Sequence, residues 1–231
     1  MKLYLACMFF PLIGLLLVLS RGAGHAQSES IPIGSAYQGP KCDAAVGDFA
    51  VQIPGAPSAI GDGLREMLMT ALFESNYFNV MERLDTQGIS AEHLLSDSFM
   101  ADPDAILNDK GFVPAQVMIY GTLVGLEGGG AGLRVKIPWI PLNIGGKYHK
   151  ARAVVELKAV DNATGEIIAV ESVEGTAVSS GQSIGTTLKG IPLPVGLEIF
   201  RNTPLELCIR DCILRGVTVM CRNIPRQYFI H

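Results

Sequence analysis

Between Ala44 and Glu82 the chain changes period twice, and that change limits its fold more than any other feature. Ala44 to Ile53 runs apolar through Val46, Phe49 and Val51, as a strand does. Pro54 to Ser58 is a loop. Beyond it Ile60, Leu64, Met67, Leu68, Ala71 and Leu72 recur at the spacing of one helix face, the pattern of a helix packed on a sheet. Tyr77 to Glu82 then reads as a second strand. A strand, a helix and a strand within forty residues predict an α/β unit.

The remaining segments extend that unit. Ser90 to Ser98 is weakly helical, and Asp102-Pro103-Asp104 opens a further short helix, with Pro early and acids at the positive end. Gly111 is placed to end it. Val117 to Leu126, Arg152 to Val160 and Glu166 to Val178 are strands. Asp161 to Gly165 joins the last two with residues that tolerate turn geometry. Asn162-Ala163-Thr164 matches a glycosylation sequon, but turn chemistry accounts for it better. Thr203 to Met220 is the final helix, with Leu205, Cys208, Ile209, Cys212, Gly216, Val219 and Met220 on one side. Strands alternating with helices imply a sheet covered by helices.

The N-terminus predicts export. Lys2 gives a positive start, Leu12 to Leu19 is almost unbroken apolar sequence, and Gly24-His25-Ala26 presents small residues to a signal peptidase. The apolar run is shorter than the roughly 20 residues a spanning helix needs. Residues 1–26 therefore read as a cleaved leader, 27–40 as a linker and 41–231 as one domain. Gln27 follows the cut, and Cys7 lies ahead of the apolar run, so neither supplies a lipid-attachment cysteine. No later apolar run is long enough for a transmembrane helix, and membrane attachment would have to use β-structure.

Charge and cysteines narrow the function classes. The 18 basic residues are outnumbered by 22 acidic ones, and loss of Lys2 and Arg21 with the leader makes the balance more acidic. Nucleic acid is a poor partner for such a surface. Cys42, Cys208, Cys212 and Cys221 remain. Cys208 and Cys212 are one helical turn apart and read as small buried hydrophobes; a Cys42–Cys221 bridge is open, since spacing cannot decide it. His93, His149 and His231 share no ligand or acid/base spacing, and Gly128-Gly129-Gly130 lacks the Lys-Ser/Thr of a phosphate loop. We expect no catalytic, cofactor or metal site.

Two Gly- and Pro-rich insertions interrupt the unit, Glu127 to Lys150 and Ser179 to Asn202. In the first, Ala131, Leu133, Val135 and Ile137 alternate with Gly132, Arg134 and Lys136, ahead of Trp139. The second carries Ile184, Leu188, Leu197 and Ile199 around Pro192 and Pro194. Each is close to two membrane strands of roughly 9–11 residues plus a turn. Pro138, Pro141, Pro192 and Pro194 remove ladder donors, so surface loops are the competing reading.

V-G-D-F-A at Val46, M-L-M-T-A-L at Met67, N-Y-F-N-V-M-E-R ending at Arg83, M-I-Y-G-T-L at Met118 and V-E-L-K-A-V-D-N-A-T-G-E-I-I at Val155 together resemble the CsgG family of outer-membrane channel subunits that export curli fibres. The likeness covers nearly the whole mature chain. It implies a helix-covered periplasmic sheet whose two insertions are hairpins donated to a shared transmembrane β-barrel, in a homo-oligomeric ring. Outer-membrane lipid and a secreted protein cargo would be the partners, and Leu133, Val135, Ile137, Trp139, Ile184, Leu188, Leu197 and Ile199 the hairpin residues, with Trp139 and Tyr148 in an interfacial girdle. The loop after the first strand would line the pore through Val51, Gln52, Gly55 and Ala56. There the family presents an aromatic, an Asn and a second aromatic, so this chain's aperture would be wider and less aromatic. A soluble periplasmic binding or scaffold module on the same core is the alternative function.

Overall fold

The structure is a computed structural model, and it describes residues 37–96, 98, 111–129, 139, 142–143, 150–178 and 192–230. Strand β1 (Cys42–Val51) leads to helix α1 (Ala59–Ser75), strand β2 (Phe78–Met81) and helix α2 (Thr86–Ser96). Strand β3 (Val117–Gly129), a two-residue β4 (Leu142–Asn143), and the long pair β5 (Lys150–Asp161) and β6 (Ile167–Val178) follow. A 3-10 turn at Glu198–Phe200, helix α3 (Pro204–Asn223) and a second 3-10 turn at Arg226–Tyr228 complete the described chain. The main sheet runs β2-β1-β3-β5-β6. β1 pairs in parallel with both β2 and β3, while β5 is antiparallel to β3 and to β6.

The helical stripe of α1 buries as its spacing requires. Ile60, Leu64, Met67, Leu68 and Leu72 are inaccessible and join Cys42, Ala44, Val46 and Phe49 of β1 in one core. Asn76 ends the helix in the left-handed conformation, φ 61°, its N–H donating to Phe73 O. Its side chain also binds outward: Lys41 Nζ donates to Asn76 Oδ1 at 2.6 Å, and Asn76 Nδ2 to Tyr37 O.

Helix α3 lies beside α1 on the same face of the sheet, over β5 and β6. Thr203 caps it, accepting from Glu206 N, with Pro204 in the first turn, where a missing N–H costs nothing. Cys208 and Cys212 pack as small hydrophobes whose thiols donate to Ala151 O at 3.2 Å and Ala153 O at 3.4 Å. The helix can approach this closely because β6 carries Gly175. A Cβ there would stand 2.5 Å from Cys208 O and 2.9 Å from Cys212 Sγ.

Among the described residues, helices cover the sheet on this face. Across β3, β5 and β6 the opposite face carries exposed Tyr120, Val124 and Val170 beside charged residues. Arg152 donates to Glu174 at 2.7 Å and reaches Glu127 at 3.4 Å, and Lys158 Nζ stands 5.3 Å from the Tyr120 ring centroid. Helix α2 begins earlier than expected and buries only Ser96. The short helix expected after Asp102 lies outside the described residues.

The hairpin between β5 and β6 forms at Asp161 to Gly165. Asp161 Oδ1 accepts from Ala163 N at 2.7 Å, and Gly165 takes φ 75°. Asn162 Nδ2 donates to Ala115 O, tying the turn to the chain entering β3.

Candidate assembly end of the sheet

Strand direction gathers the segments that matter. β1, β3 and β6 run the same way, and β5 starts where β6 ends, with Lys150 opposite Val178. The loop after β1, the first insertion between β3 and β5, and the second insertion after β6 therefore all leave the sheet at one end. Sequence separation hides this, for Gly55, Trp139 and Phe200 span most of the domain.

The loop has defined geometry. Gln52 N donates to Leu123 O at 2.9 Å, and Ala56 N to Ile53 O at 3.1 Å. Pro54 and Gly55, the latter at φ 79°, occupy the central places of a type II turn, the second of which needs positive φ. Of the pore-loop candidates, Gln52 and Gly55 are exposed, whereas Val51 and Ala56 are half-buried against the core. Ala56 is thus part of the packing as much as of the surface.

The insertions depart from the expected hairpins in their described parts. Leu142 and Asn143 pair in parallel with Gly128 and Gly129, where the returning strand of a hairpin would be antiparallel. In the second insertion, Glu198–Phe200 is a 3-10 turn, and Leu197 is fully buried with its side chain over Gly63 of α1. Leu197 is a core residue and not a lipid-facing one. Ile199, half exposed, sits on the same turn rather than on a strand. Trp139 packs edge-on against buried Phe200, ring centroids 6.2 Å apart, and its Cβ lies 3.3 Å from where a Gly55 Cβ would stand. Its ring is thus packed on the domain's own core, a departure from the exposed place expected of a girdle residue. Leu133, Val135, Ile137, Tyr148, Ile184 and Leu188 lie outside the described residues.

Burial pushes the thiols of Cys42, Cys208, Cys212 and Cys221 up to about 12. The Glu82-Arg83 turn after β2 is structural: Arg83 donates to Glu82 O and Val113 O, and Leu84 N donates to the Glu82 carboxylate. Among the described residues no three His, Cys, Asp or Glu side chains converge as a metal group. Nor is any helix among them long and apolar enough to cross a membrane.

The sequence profile of a family described as "Curli production assembly/transport component CsgG" matches residues 29–229. This chain belongs to the CsgG family. CsgG proteins of Escherichia coli strain K12, Salmonella typhimurium and Citrobacter koseri are each 25% identical to it over 188 residues, 76% of this chain. The chain spans 64% of the length of these CsgG relatives. Among solved structures, the hypothetical protein CT253 of Chlamydia trachomatis is 12% identical with a TM-score of 0.49, covering 80% of this chain and 98% of that one. The PelC dodecamer of Paraburkholderia phytofirmans is 12% identical with a TM-score of 0.40, covering 80% and 92%. The α/β core expected from the CsgG resemblance is the fold observed.

Sequence reading did not single out Phe200, or the contact of Trp139 with the loop. Gly55 offered one signal, since a glycine after a proline at a strand end marks a turn whose bare Cα admits a neighbour.

Proposed function

We propose that this chain is a subunit of an outer-membrane secretion channel that exports a curli-like or other surface-fibre protein. The observation that carries the reading is the shared exit of the loop after β1 and both insertions from one end of the sheet. A barrel and a constriction built by different segments must lie along one axis, and this topology starts them from the same side of every subunit. Copies arranged about a rotation axis would repeat the loop at one height. Insertions from neighbouring copies would close a barrel without free edges, the condition for strands in lipid. The leader, cut after Ala26, would deliver the chain to the periplasm, and the partners would be further copies, lipid and the cargo, with no nucleic acid.

The alternative is a soluble periplasmic scaffold on the same core. Burial of Leu197 and Phe200 and the parallel pairing of Leu142–Asn143 favour it, because they commit parts of both insertions to the domain itself.

Electron microscopy of detergent-extracted mature protein, combined with planar-bilayer recordings, separates the two. Rings with steady conductance are expected. A monomer that is soluble without detergent and does not conduct overturns the channel.

A further inference from the structure

We infer that Trp139 is a positioning residue: it holds the loop Ile53–Ala56 in place and couples it to both insertions. The inference takes its functional meaning from the channel reading, but its geometry stands apart from it. Trp139 comes from the first insertion. Its ring meets Phe200, which closes the second insertion, edge-on at 6.2 Å. Its Cβ stands over Gly55, whose missing side chain leaves the space, with 3.3 Å to the position a Cβ would take.

Three chain segments therefore meet at one side chain. Phe200 is an immovable partner, being fully buried with Leu197, and Leu197 is wedged against Gly63 in the first turns of α1. Among the described residues the loop is held by a turn hydrogen bond from Ala56 N, a ladder bond from Gln52 N, and the partly buried Ile53 and Ala56. The Trp139 Cβ rests where the loop has no side chain of its own, and the ring, seated edge-on against Phe200, anchors it there. The consequence is mechanical, since a displacement of either insertion at this point must move Trp139 or break its contact with the loop.

Trp139 is the single tryptophan of the chain, so its emission reports this contact alone. The full-length mature protein should emit at a shorter wavelength than free indole in water and resist acrylamide quenching. Phe200→Leu should shift the emission to the red. Hydrogen exchange of the peptide 52–58 should speed up roughly two- to tenfold in Trp139→Ala, which keeps the Cβ but removes the ring that anchors it on Phe200, the scale of losing one aromatic contact. Exchange across β5 and β6 should stay as in the parent, which guards against general unfolding, and Trp139→Phe should restore much of the protection. Water-like emission in the parent, or unchanged exchange of 52–58 in Trp139→Ala, overturns the inference. Conductance enters neither readout, so failure of the channel reading remains a separate result.

Discussion

Tyr228 donates its phenol O–H to Asp161 Oδ2 at 2.7 Å, fastening the 3-10 turn after α3 to the hairpin between β5 and β6. Asp161 is held below the usual aspartate value of 3.8, first by this bond and then by the N–H of Ala163. The same bond raises the Tyr228 phenol above its ordinary 10.0. A depressed carboxyl stabilises the fold above its unfolded pKa and loses that contribution as pH falls through the folded one. A raised phenol does the reverse at the alkaline side, contributing below 10.0 and fading above it. Tyr228→Phe should therefore lower Tm across the range from about pH 4 to 10. The difference from the parent should shrink at pH 3, and equal differences at pH 3 and pH 7 would contradict the assignment.

Leu197 tests which parts of the second insertion belong to the core. Leu197→Ala should cost roughly 2–5 kcal/mol, because the side chain is inaccessible and its pocket against α1 cannot collapse freely. Urea unfolding of the mature protein measures it. In the first insertion, on the channel reading, Val135→Arg should instead cost roughly 2–4 kcal/mol if the position lies near the bilayer midplane. Its signature is weaker membrane extraction with an unchanged core; a Leu197→Ala variant of parental stability would return that residue to the surface.

On the channel reading, Gln52 is the position at which to narrow the aperture. It is exposed at the start of the loop, its backbone fixed by Leu123 O, while Ala56 is half-buried and a large residue there would disturb packing as well. Gln52→Trp should reduce single-channel conductance, as a ring places the same bulk at one height from every subunit. Phe73→Trp, on the exposed side of α1, is the matching control. Equal conductance in both variants would remove the loop from the pore.

The thiols should be silent in the folded protein. With Cys42, Cys208, Cys212 and Cys221 pushed up to about 12, the thiolate fraction near pH 8 is on the order of one in ten thousand. A disulfide reagent should label none of these four in reduced mature protein and all four in guanidinium. Rapid native labelling of any one would mean that its site opens.

Gly175→Ala offers a check on how closely α3 sits. The new methyl would meet the Cys208 carbonyl at 2.5 Å, and backbone cannot yield as a flexible side chain can. A loss of about 1–3 kcal/mol is expected from such overpacking, read again by urea unfolding.

Local period carried much of the architecture in the sequence. The α1 stripe from Ile60 to Leu72, the strand at Val117, the Asp161–Gly165 turn and the face of α3 containing Cys208 and Cys212 each follow from interactions within a few residues. Those signals survive without knowledge of what packs opposite. The long-range relations do not. That Trp139 lies over Gly55, that Leu197 belongs to the core, and that Leu142 runs parallel to β3 depend on strands distant in sequence and on the direction in which each is crossed. An apolar residue in a Pro- and Gly-rich insertion has the same pattern whether it meets lipid or Gly63. Only the tertiary structure decides, because burial is a property of the neighbours and the sequence names them without saying where they stand.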